Sequence, residues 1–427
     1  MTESMATGRR EAPVPTAPPR AVFGEPPRPA DGPARQAGWR EAAILLSASC
    51  LSVLGAVLLA PVLPKLQDAF AGTPGVRVLV PITLTAPALM IGLLAPFAGR
   101  IVDATGRRRL LIVALVIYAG FGTAPLWLAS LPLIVASRVG VGITEAAIMT
   151  CCTTLLADYF TGARRARILG LQVVFTTLAA TVFFGLGGAL GNVGWRTPFW
   201  LYASSLVFAA LTALFIWQPQ PTADRAAERR AELGAGLPPV PWRALAGPIG
   251  VTLFGGIVFY ALIVELSFVL DGHGVKSTAS IGQASAAASL ATAVGALVFG
   301  RICGRGPRIL LPIAFGLAGA GLVVVGLSPT VPAVLAGAVV TSFGTGLLLP
   351  TLVTWALSSL TFEQRGRGTG LWTASLFIGQ FVCPLLLLAV GAVTAGIDVA
   401  LAALGVAALA MTLGLLLRRA TPLVRFG

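Results

Sequence analysis

Long apolar runs alternate with short polar breaks along almost the whole chain. The runs are continuous rather than alternating residue by residue, which favours membrane-spanning helices over the strands of an outer-membrane barrel. A helix needs about 20 apolar residues to cross a bilayer. Twelve runs are predicted spans on this basis: 42–62, 78–98, 110–130, 132–157, 168–192, 197–217, 247–270, 281–299, 309–327, 332–359, 369–394 and 397–417.

Three polar stretches divide the chain. Residues 1–38 hold eight prolines and no apolar run, a composition that predicts a disordered tail rather than a cleaved leader. Residues 218–246 are a predicted polar linker with a short helix, and residues 418–427 are a second tail. The sequence therefore predicts an all-α integral membrane protein with two six-helix halves, 39–217 and 247–417.

The composition agrees with this prediction, because only 11% of the 427 residues are charged and 56% are hydrophobic. A net charge of +14 could indicate a nucleic-acid surface, but the basic residues lie in the tails and in alternate loops. Twenty-five of the 30 Lys and Arg residues fall on one predicted side and four on the other. Positive loops face the cytoplasm, so we expect both termini there and no nucleic-acid partner. The Ala-, Gly- and Arg-rich composition, with two lysines, favours a bacterial inner membrane.

Two short segments recur about 200 residues apart, at corresponding loops of the two halves. Gly99-Arg100-Ile101 recurs as Gly300-Arg301-Ile302, and Arg165, Arg167, Gly170 and Leu171 recur as Arg365, Arg367, Gly370 and Leu371. Six-helix repeats of the same orientation place a substrate site at mid-membrane between them and favour alternating access. We therefore expect two pseudo-symmetric halves around a central cavity.

A Gly- and Arg-rich segment follows the second predicted span. It runs Gly99-Arg100-Ile101-Val102-Asp103-Ala104-Thr105-Gly106-Arg107-Arg108-Arg109. Gly99 and Gly106 allow a tight turn or a close approach to a neighbouring helix. Asp103 can accept hydrogen bonds at a helix start, and Asp158 is the natural acidic partner for the arginines.

This segment resembles the signature loop between helices 2 and 3 of the major facilitator superfamily, and the layout from about Trp39 onward resembles that family too. The resemblance implies a secondary transporter in which this loop is a latch that closes the cytoplasmic side. The latch residues would be Gly99, Arg100, Asp103, Gly106, Arg107 and Arg108, with Asp158. The alternative is that the arginines only set the topology. The second half has Gly304 where the acid would stand, so the latch should be asymmetric.

Arg138 and Glu145 lie within the fourth predicted span. Ionisable residues at this depth are functional candidates by default, and a separation of seven residues puts them on one helix face about 10 Å apart. The run with Arg138 resembles a family helix 4 motif associated with proton-coupled members. Glu145 is then a candidate proton carrier; the alternatives are a structural partner of Arg138 or a direct substrate contact.

Two more polar residues are candidates for the central cavity. Glu265, near the end of the seventh span, could be a second proton site, a substrate-binding rim charge or a solvated residue. Gln380, before Pro384, could offer a buried amide to the cavity or satisfy a backbone carbonyl. The stretch 183–188 keeps glycines typical of the family's antiporter motif but lacks its Gly-Pro.

These observations predict a secondary transporter that exports small amphipathic organic molecules in exchange for protons. The alternative is a symporter that brings in an organic anion or another small metabolite, with Arg138 as its counter-ion. No GxxxxGK[ST] motif indicates ATP as the energy source. Five cysteines without CxxC spacing and one histidine, His273, do not indicate a metal site or an enzyme. We expect a monomer without a cofactor, driven by the proton gradient.

Overall fold

A computed structural model describes residues 37–219, 242–358, 360–394 and 396–417. Most of the predicted N-terminal tail, the predicted C-terminal tail and most of the predicted linker lie outside these residues. Those three segments therefore stay predictions.

Twelve helices of the described chain are long and apolar enough to cross a membrane. They are α1 Trp39–Val57, α2 Val76–Leu94, α3 Arg107–Thr123, α4 Leu131–Tyr159, α5 Gly162–Val193, α6 Ser204–Phe215, α7 Trp242–Gly272, α8 Thr278–Ile302, α9 Pro307–Leu327, α10 Val331–Ser358, α11 Phe362–Val393 and α12 Ile397–Leu417. A 3-10 helix, Thr197–Ala203, leads directly into α6, and the two together form the sixth span, Thr197–Phe215. The prediction of a twelve-helix, all-α membrane protein is confirmed.

Prolines interrupt the first two predicted spans. Helix α1 stops before Pro61, and a short helix, Leu63–Ala69, follows it. Helix α2 stops before Pro96, and a second short helix, Ala98–Thr105, follows. Proline lacks a backbone N–H and its ring collides with the preceding turn of a helix. A helix can therefore end at a proline although the sequence stays apolar beyond it. The sequence-predicted boundaries missed these two breaks.

The helices run back and forth through the bundle, so alternate loops lie at the same end. Arg107, Arg164 and Arg301 lie at one end, here called the basic face. Lys65 and Lys276 lie at the other end, here called the opposite face. The depth of a residue in the bundle is therefore given by its position between these two faces.

Helices α5 and α8 join the two halves near the opposite face. Thr278 Oγ1 lies 2.9 Å from the Gly188 carbonyl oxygen and 2.8 Å from Asn192 Oδ1. A Cβ at Gly188 would lie 2.8 Å from the Cα of Gly282 and even closer to the Thr278 carbonyl oxygen. The absence of a side chain at Gly188 is therefore what allows the two helices to touch.

Helices α2 and α11 join the halves near the basic face. A Cβ at Gly92 would lie 3.2 Å from the carbonyl oxygen of Ala374. A Cβ at Gly370 would lie 3.1 Å from the Cα of Pro96. The two halves thus meet near both faces through small residues, and the space left between these contacts forms the central cavity.

Replacing Gly188 with valine should force α5 and α8 apart, because the new Cβ has no room. We expect the free energy of unfolding to fall by about 1–3 kcal/mol, the usual cost of overpacking. Gly185→Val is the matched control, since a Cβ at Gly185 meets no atom within 4 Å. Thermal unfolding of the purified protein in detergent compares them, and equal midpoints for the two variants would contradict the packing described.

Candidate functional site

A cavity of about 330 Å³ lies between the two halves. Helices α1 and α5 line it from one half, and α7, α8, α10 and α11 from the other. Its polar groups are hydroxyls and one amide: Ser52, Thr176, Thr177, Tyr260, Ser285, Ser289, Thr292, Thr341, Ser342, Thr345 and Gln380. Phe184, Phe259 and Phe377 are among its apolar residues. Within the described part of the chain, no Asp, Glu, Lys or Arg lines it, so it offers hydrogen bonds without fixed charge.

Only one of the four residues expected in the cavity lies in its wall, and that residue is Gln380. Arg138 and Glu145 are 0% exposed and Glu265 is 3% exposed, yet none of the three lines the cavity. The three ionisable groups therefore lie outside the wall of this cavity. For Arg138 and Glu145 the reason is that both find polar partners on neighbouring helices of their own half.

Arg138 is held entirely by neutral groups. Its Nη1 donates to the hydroxyl of Tyr202 at 2.9 Å, and its Nη2 donates to the carbonyl oxygens of Phe121 at 3.0 Å and Gly122 at 3.2 Å. These carbonyls belong to the last turn of α3, where the helix dipole favours a cation. The guanidinium also lies 5.3 Å from the ring of Phe199. These contacts engage both terminal nitrogens without an acid, whereas Nε has no hydrogen-bond partner among the described residues.

Glu145 is held by α1 and α3. Its Oε1 accepts a hydrogen bond from the backbone N–H of Gly55 at 3.1 Å and lies 3.1 Å from the hydroxyl of Tyr118. Its Oε2 has no hydrogen-bond partner among the described residues. No ion pair joins it to Arg138 there, so the geometry does not favour the structural-partner alternative.

Two tyrosines link the Arg138 and Glu145 environments. The rings of Tyr118 and Tyr202 are 5.1 Å apart, and the hydroxyl of each faces one of the two ionisable groups. Both rings are fully buried. The polar interior of this half is therefore a continuous set of side chains from α3, α4 and the 3-10 helix before α6.

Glu265 on α7 is buried but poorly satisfied. Its Oε1 has no hydrogen-bond partner in the described part of the chain. Leu262, Ile263 and Leu266, its neighbours on α7, line the cavity. The solvated alternative for Glu265 is therefore wrong in this structure, because α7 packs in the interior of the bundle. Its two other interpretations stay open.

The amide of Gln380 is 5% exposed and lies in the cavity wall. Among the described residues, it makes no hydrogen bond to a backbone carbonyl. The arrangement favours an amide available to a cavity occupant over one that repairs the helix near Pro384.

The arginines that follow Gly106 tie the basic face of the first half together. Gly106 has φ +84°, a turn that favours glycine. Arg107 at the start of α3 forms an ion pair with Asp158 near the end of α4. Arg108 Nη2 donates to the Ala213 carbonyl oxygen of α6 at 2.7 Å. These contacts join helices within one half.

Other residues of the expected latch have different surroundings. Gly99 lies inside the helix Ala98–Thr105, and a Cβ there would meet no atom within 4 Å. The expectation of a tight turn or a close approach at Gly99 is therefore wrong. Arg100 is exposed on the same helix. The side chain of Asp103 lies outside what the structure describes.

Sequence reasoning missed the buried tyrosines. The chain has four tyrosines, and Tyr118, Tyr202 and Tyr260 are buried within or beside spanning helices. A tyrosine in an apolar span is a usable signal, because its hydroxyl must find a hydrogen-bond partner that phenylalanine would not need. Gly55 gave no such signal, since its importance depends on Glu145 of another helix.

The family model of the Major Facilitator Superfamily matches residues 45–278 and 252–426. The chain belongs to the Major Facilitator Superfamily. It is therefore a membrane transporter rather than an enzyme, and the family resemblance of its sequence is confirmed.

Relatives within the superfamily carry different substrates. Multidrug resistance protein 2 of Bacillus subtilis (strain 168) is 30% identical over 182 residues, which are 40% of this chain and 42% of that protein. The match therefore spans less than half of that relative's length. The 3-(3-hydroxy-phenyl)propionate transporter of Escherichia coli (strain K12) is 27% identical over 326 residues, which are 72% of this chain and 78% of that protein.

Solved structures of superfamily transporters share the fold. A D-xylose-proton symporter has a TM-score of 0.72 at 13% identity, over 88% of this chain and 97% of that one. A human organic anion transporter has a TM-score of 0.64 at 19% identity, over 88% of this chain and 99% of that one. At such identities the similarity shows the fold alone.

Removing the acid of the Arg107–Asp158 pair should destabilise this superfamily chain modestly. We expect Asp158→Asn to lower the free energy of unfolding by about 1 kcal/mol, the upper value for pairs that keep some solvent contact. The swapped double variant, Arg107→Asp with Asp158→Arg, should recover part of the loss because it restores opposite charges. Thermal midpoints in detergent test this, and a swap no more stable than the single variant would contradict a pairwise contribution.

Proposed function

We propose that the protein is a proton-coupled secondary transporter in which Glu145 takes up and releases the coupling proton. The observation that carries the proposal is a fully buried carboxyl group that has neutral hydrogen-bond partners and no ion pair to Arg138. An ionised carboxylate is costly in such surroundings, whereas a protonated one is not. Gain and loss of a proton would therefore change the local free energy enough to bias the conformation.

The contacts between the halves support alternating access. The α5–α8 contact lies near the opposite face, the α2–α11 contact lies near the basic face, and the cavity lies between them. Opening one contact while the other stays closed would expose the cavity to one side at a time. The Arg107–Asp158 and Arg108–Ala213 contacts would keep the first half rigid at the basic face during this motion, which is the part we propose for the latch.

The cavity chemistry supports small amphipathic organic molecules as substrates. Its wall combines phenylalanine rings with scattered hydroxyls and the amide of Gln380, and the described lining carries no fixed charge. Apolar surface with a few oriented polar groups is typical of sites for such ligands. Multidrug relatives support export, so proton-coupled efflux is the function that we propose.

Uptake of an organic anion is the second candidate. The broad match to the 3-(3-hydroxy-phenyl)propionate transporter favours it. The position of Arg138 does not favour that residue as the counter-ion, because Arg138 is fully buried and outside the cavity wall.

The distribution of basic residues supports a bacterial inner membrane location with the basic face in the cytoplasm. Twenty-five of the 30 Lys and Arg residues belong to the tails and loops of that side. Both termini would then be cytoplasmic. We further propose a monomer, with the proton gradient as the energy source and no cofactor, since the cavity and the Glu145 site both lie within one chain.

Gradient-driven transport into proteoliposomes separates the two directions of coupling. Ethidium, 3-(3-hydroxyphenyl)propionate and D-xylose serve as cationic, anionic and uncharged probes. An exporter that exchanges substrate for protons accumulates its probe when the lumen is acidic, whereas a symporter does so when the lumen is alkaline. We expect ethidium to accumulate with an acidic lumen. Accumulation only with an alkaline lumen would support uptake instead, and no response to either gradient would contradict proton coupling.

Glu145→Gln should abolish this accumulation while exchange of probe without a gradient continues, because the amide keeps the shape but cannot carry a proton. Asp271→Asn is the control, since Asp271 lies at the end of α7 and pairs at 2.7 Å with Lys276 of the following loop, away from the cavity wall. Its accumulation should match that of the wild type. Uphill accumulation that persists in Glu145→Gln would rule out Glu145 as the coupling site.

A further inference from the structure

The hydroxyl of Tyr118 lies between two acceptor oxygens. It is 2.7 Å from the carbonyl oxygen of Leu51 in α1 and 3.1 Å from Oε1 of Glu145 in α4. A phenol has one proton to donate, although its oxygen can also accept. Tyr118 therefore cannot donate fully to both oxygens at once.

The backbone groups that these side chains contact are partners in an ordinary helix. Tyr118 contacts the carbonyl of Leu51, and Glu145 accepts from the N–H of Gly55 at 3.1 Å. Residues 51 and 55 are related as i and i+4, so their carbonyl and N–H face each other across one turn of α1. Side chains from α3 and α4 thus engage both ends of a single helical turn. We call Tyr118, Glu145, Leu51 and Gly55 the α1 clamp.

Counting protons distinguishes two arrangements of the α1 clamp. When Glu145 is protonated, its O–H can donate to the oxygen of Tyr118, and Tyr118 donates to Leu51. When Glu145 is ionised, the carboxylate attracts the protons of both Tyr118 and Gly55, since hydrogen bonds to a charged acceptor are about twice as strong. The Leu51 carbonyl then loses a donor.

Gly55 is necessary for the carboxyl group to reach the backbone. A Cβ at this position would overlap Oε1 of Glu145 and lie 3.0 Å from its Cδ. Any larger residue would push the carboxyl group away from α1. The clamp therefore depends on a glycine in one helix and on two polar side chains from two others.

The same turn of α1 borders the cavity and the second half. Ser52, Val53 and Ala56 line the cavity. Tyr260 of α7 donates to the carbonyl oxygen of Ala56 at 3.2 Å. A change in hydrogen bonding at Leu51 and Gly55 would reach both the substrate space and a helix of the other half.

Few titratable groups face Glu145. They are Tyr118 from α3, Tyr202 from the 3-10 helix before α6, Tyr260 from α7 and Arg138 on its own helix. Arg138 is the one fixed charge in this set of described residues, and it is held by its own neutral partners. The proton on Glu145 is thus the variable charge that contacts the turn of α1 at Gly55.

We propose that Tyr118 is a positioning residue that passes the protonation state of Glu145 to the cavity-lining turn of α1 by exchanging its hydrogen bond between Leu51 and Glu145. The proposal rests on the proposed proton coupling and identifies the element that responds to the proton. It assigns the response to α1 and, through Tyr260, to α7.

Hydrogen–deuterium exchange of the α1 peptide 51–57 tests the clamp without any substrate. The rates are measured in detergent from pH 5 to 9 and corrected for the intrinsic exchange rate at each pH. In the wild type we expect the corrected exchange rate of this peptide to change about fivefold between low and high pH, the effect of gaining or losing roughly one hydrogen bond. Glu145→Gln should keep the low-pH rate throughout, and Tyr118→Phe should lose the pH-dependent step. Tyr159→Phe, at another tyrosine that donates to a backbone carbonyl, should behave as the wild type.

Transport provides a second measurement. Tyr118→Phe and Gly55→Ala should keep the exchange of probe that occurs without a gradient, but their gradient-driven accumulation should fall about tenfold. Gly120→Ala is the glycine control, because a Cβ at Gly120 meets no atom within 4 Å. Gly55→Ala displaces the Glu145 carboxyl group from α1 without changing Tyr118, so the test does not depend on the folding of Tyr118→Phe. If the pH-dependent step in hydrogen–deuterium exchange has the same size in the wild type, Tyr118→Phe and Gly55→Ala, the clamp is overturned. If the wild type shows the pH-dependent step in hydrogen–deuterium exchange but no gradient-driven transport, the proposed function is overturned instead.

Discussion

A buried ionisable side chain in an apolar helix bundle must be satisfied by the protein itself, since no water is at hand to do it. This constraint organises the first half of the molecule. Arg138 is surrounded by hydroxyl and carbonyl oxygens, and Glu145 by an N–H and a hydroxyl. Because these donors and acceptors come from α1, α3 and the segment before α6, satisfying two side chains of α4 fixes the mutual positions of four elements.

The second half follows a different principle. Its described contacts with the first half depend on small residues, with Gly282 and Gly370 at the two ends of the interface. Small residues allow close approach without binding the helices as strongly as ion pairs would. A tightly held half that meets the other through small residues and a few hydrogen bonds, such as that of Thr278 to Gly188, is suited to a motion that breaks one contact and keeps the other. The hydrogen bond that Tyr260 of α7 donates to Ala56 of α1 then connects the second half to the tightly held first half.

The sequence predicted the parts of the structure that depend on one-dimensional pattern. Twelve spans follow from apolar runs, and the ends of α1 and α2 could have been refined from Pro61 and Pro96. The depth of Arg138 and Glu145 was also predictable. The helices that their side chains face were not predictable. The Glu145 carboxyl group reaches α1 because Gly55 has no side chain, and this contact is visible only once α1 and α4 are packed together.

The cavity wall escaped sequence prediction for a similar reason. Serine and threonine side chains such as Ser52 and Thr345 can bond to their own helix backbone, so their presence in a span does not show which way they face. Only the packing of α1, α5, α7, α8, α10 and α11 around one space identifies them as lining residues.

The proposed coupling requires the Glu145 carboxyl group to gain and lose a proton inside the bundle. Infrared difference spectroscopy between low and high pH measures this directly, through the carbonyl stretch of a protonated carboxyl group. We expect a band that is present at low pH, lost at high pH, absent in Glu145→Gln and kept in Glu265→Gln. A spectrum of Glu145→Gln identical to that of the wild type would contradict it.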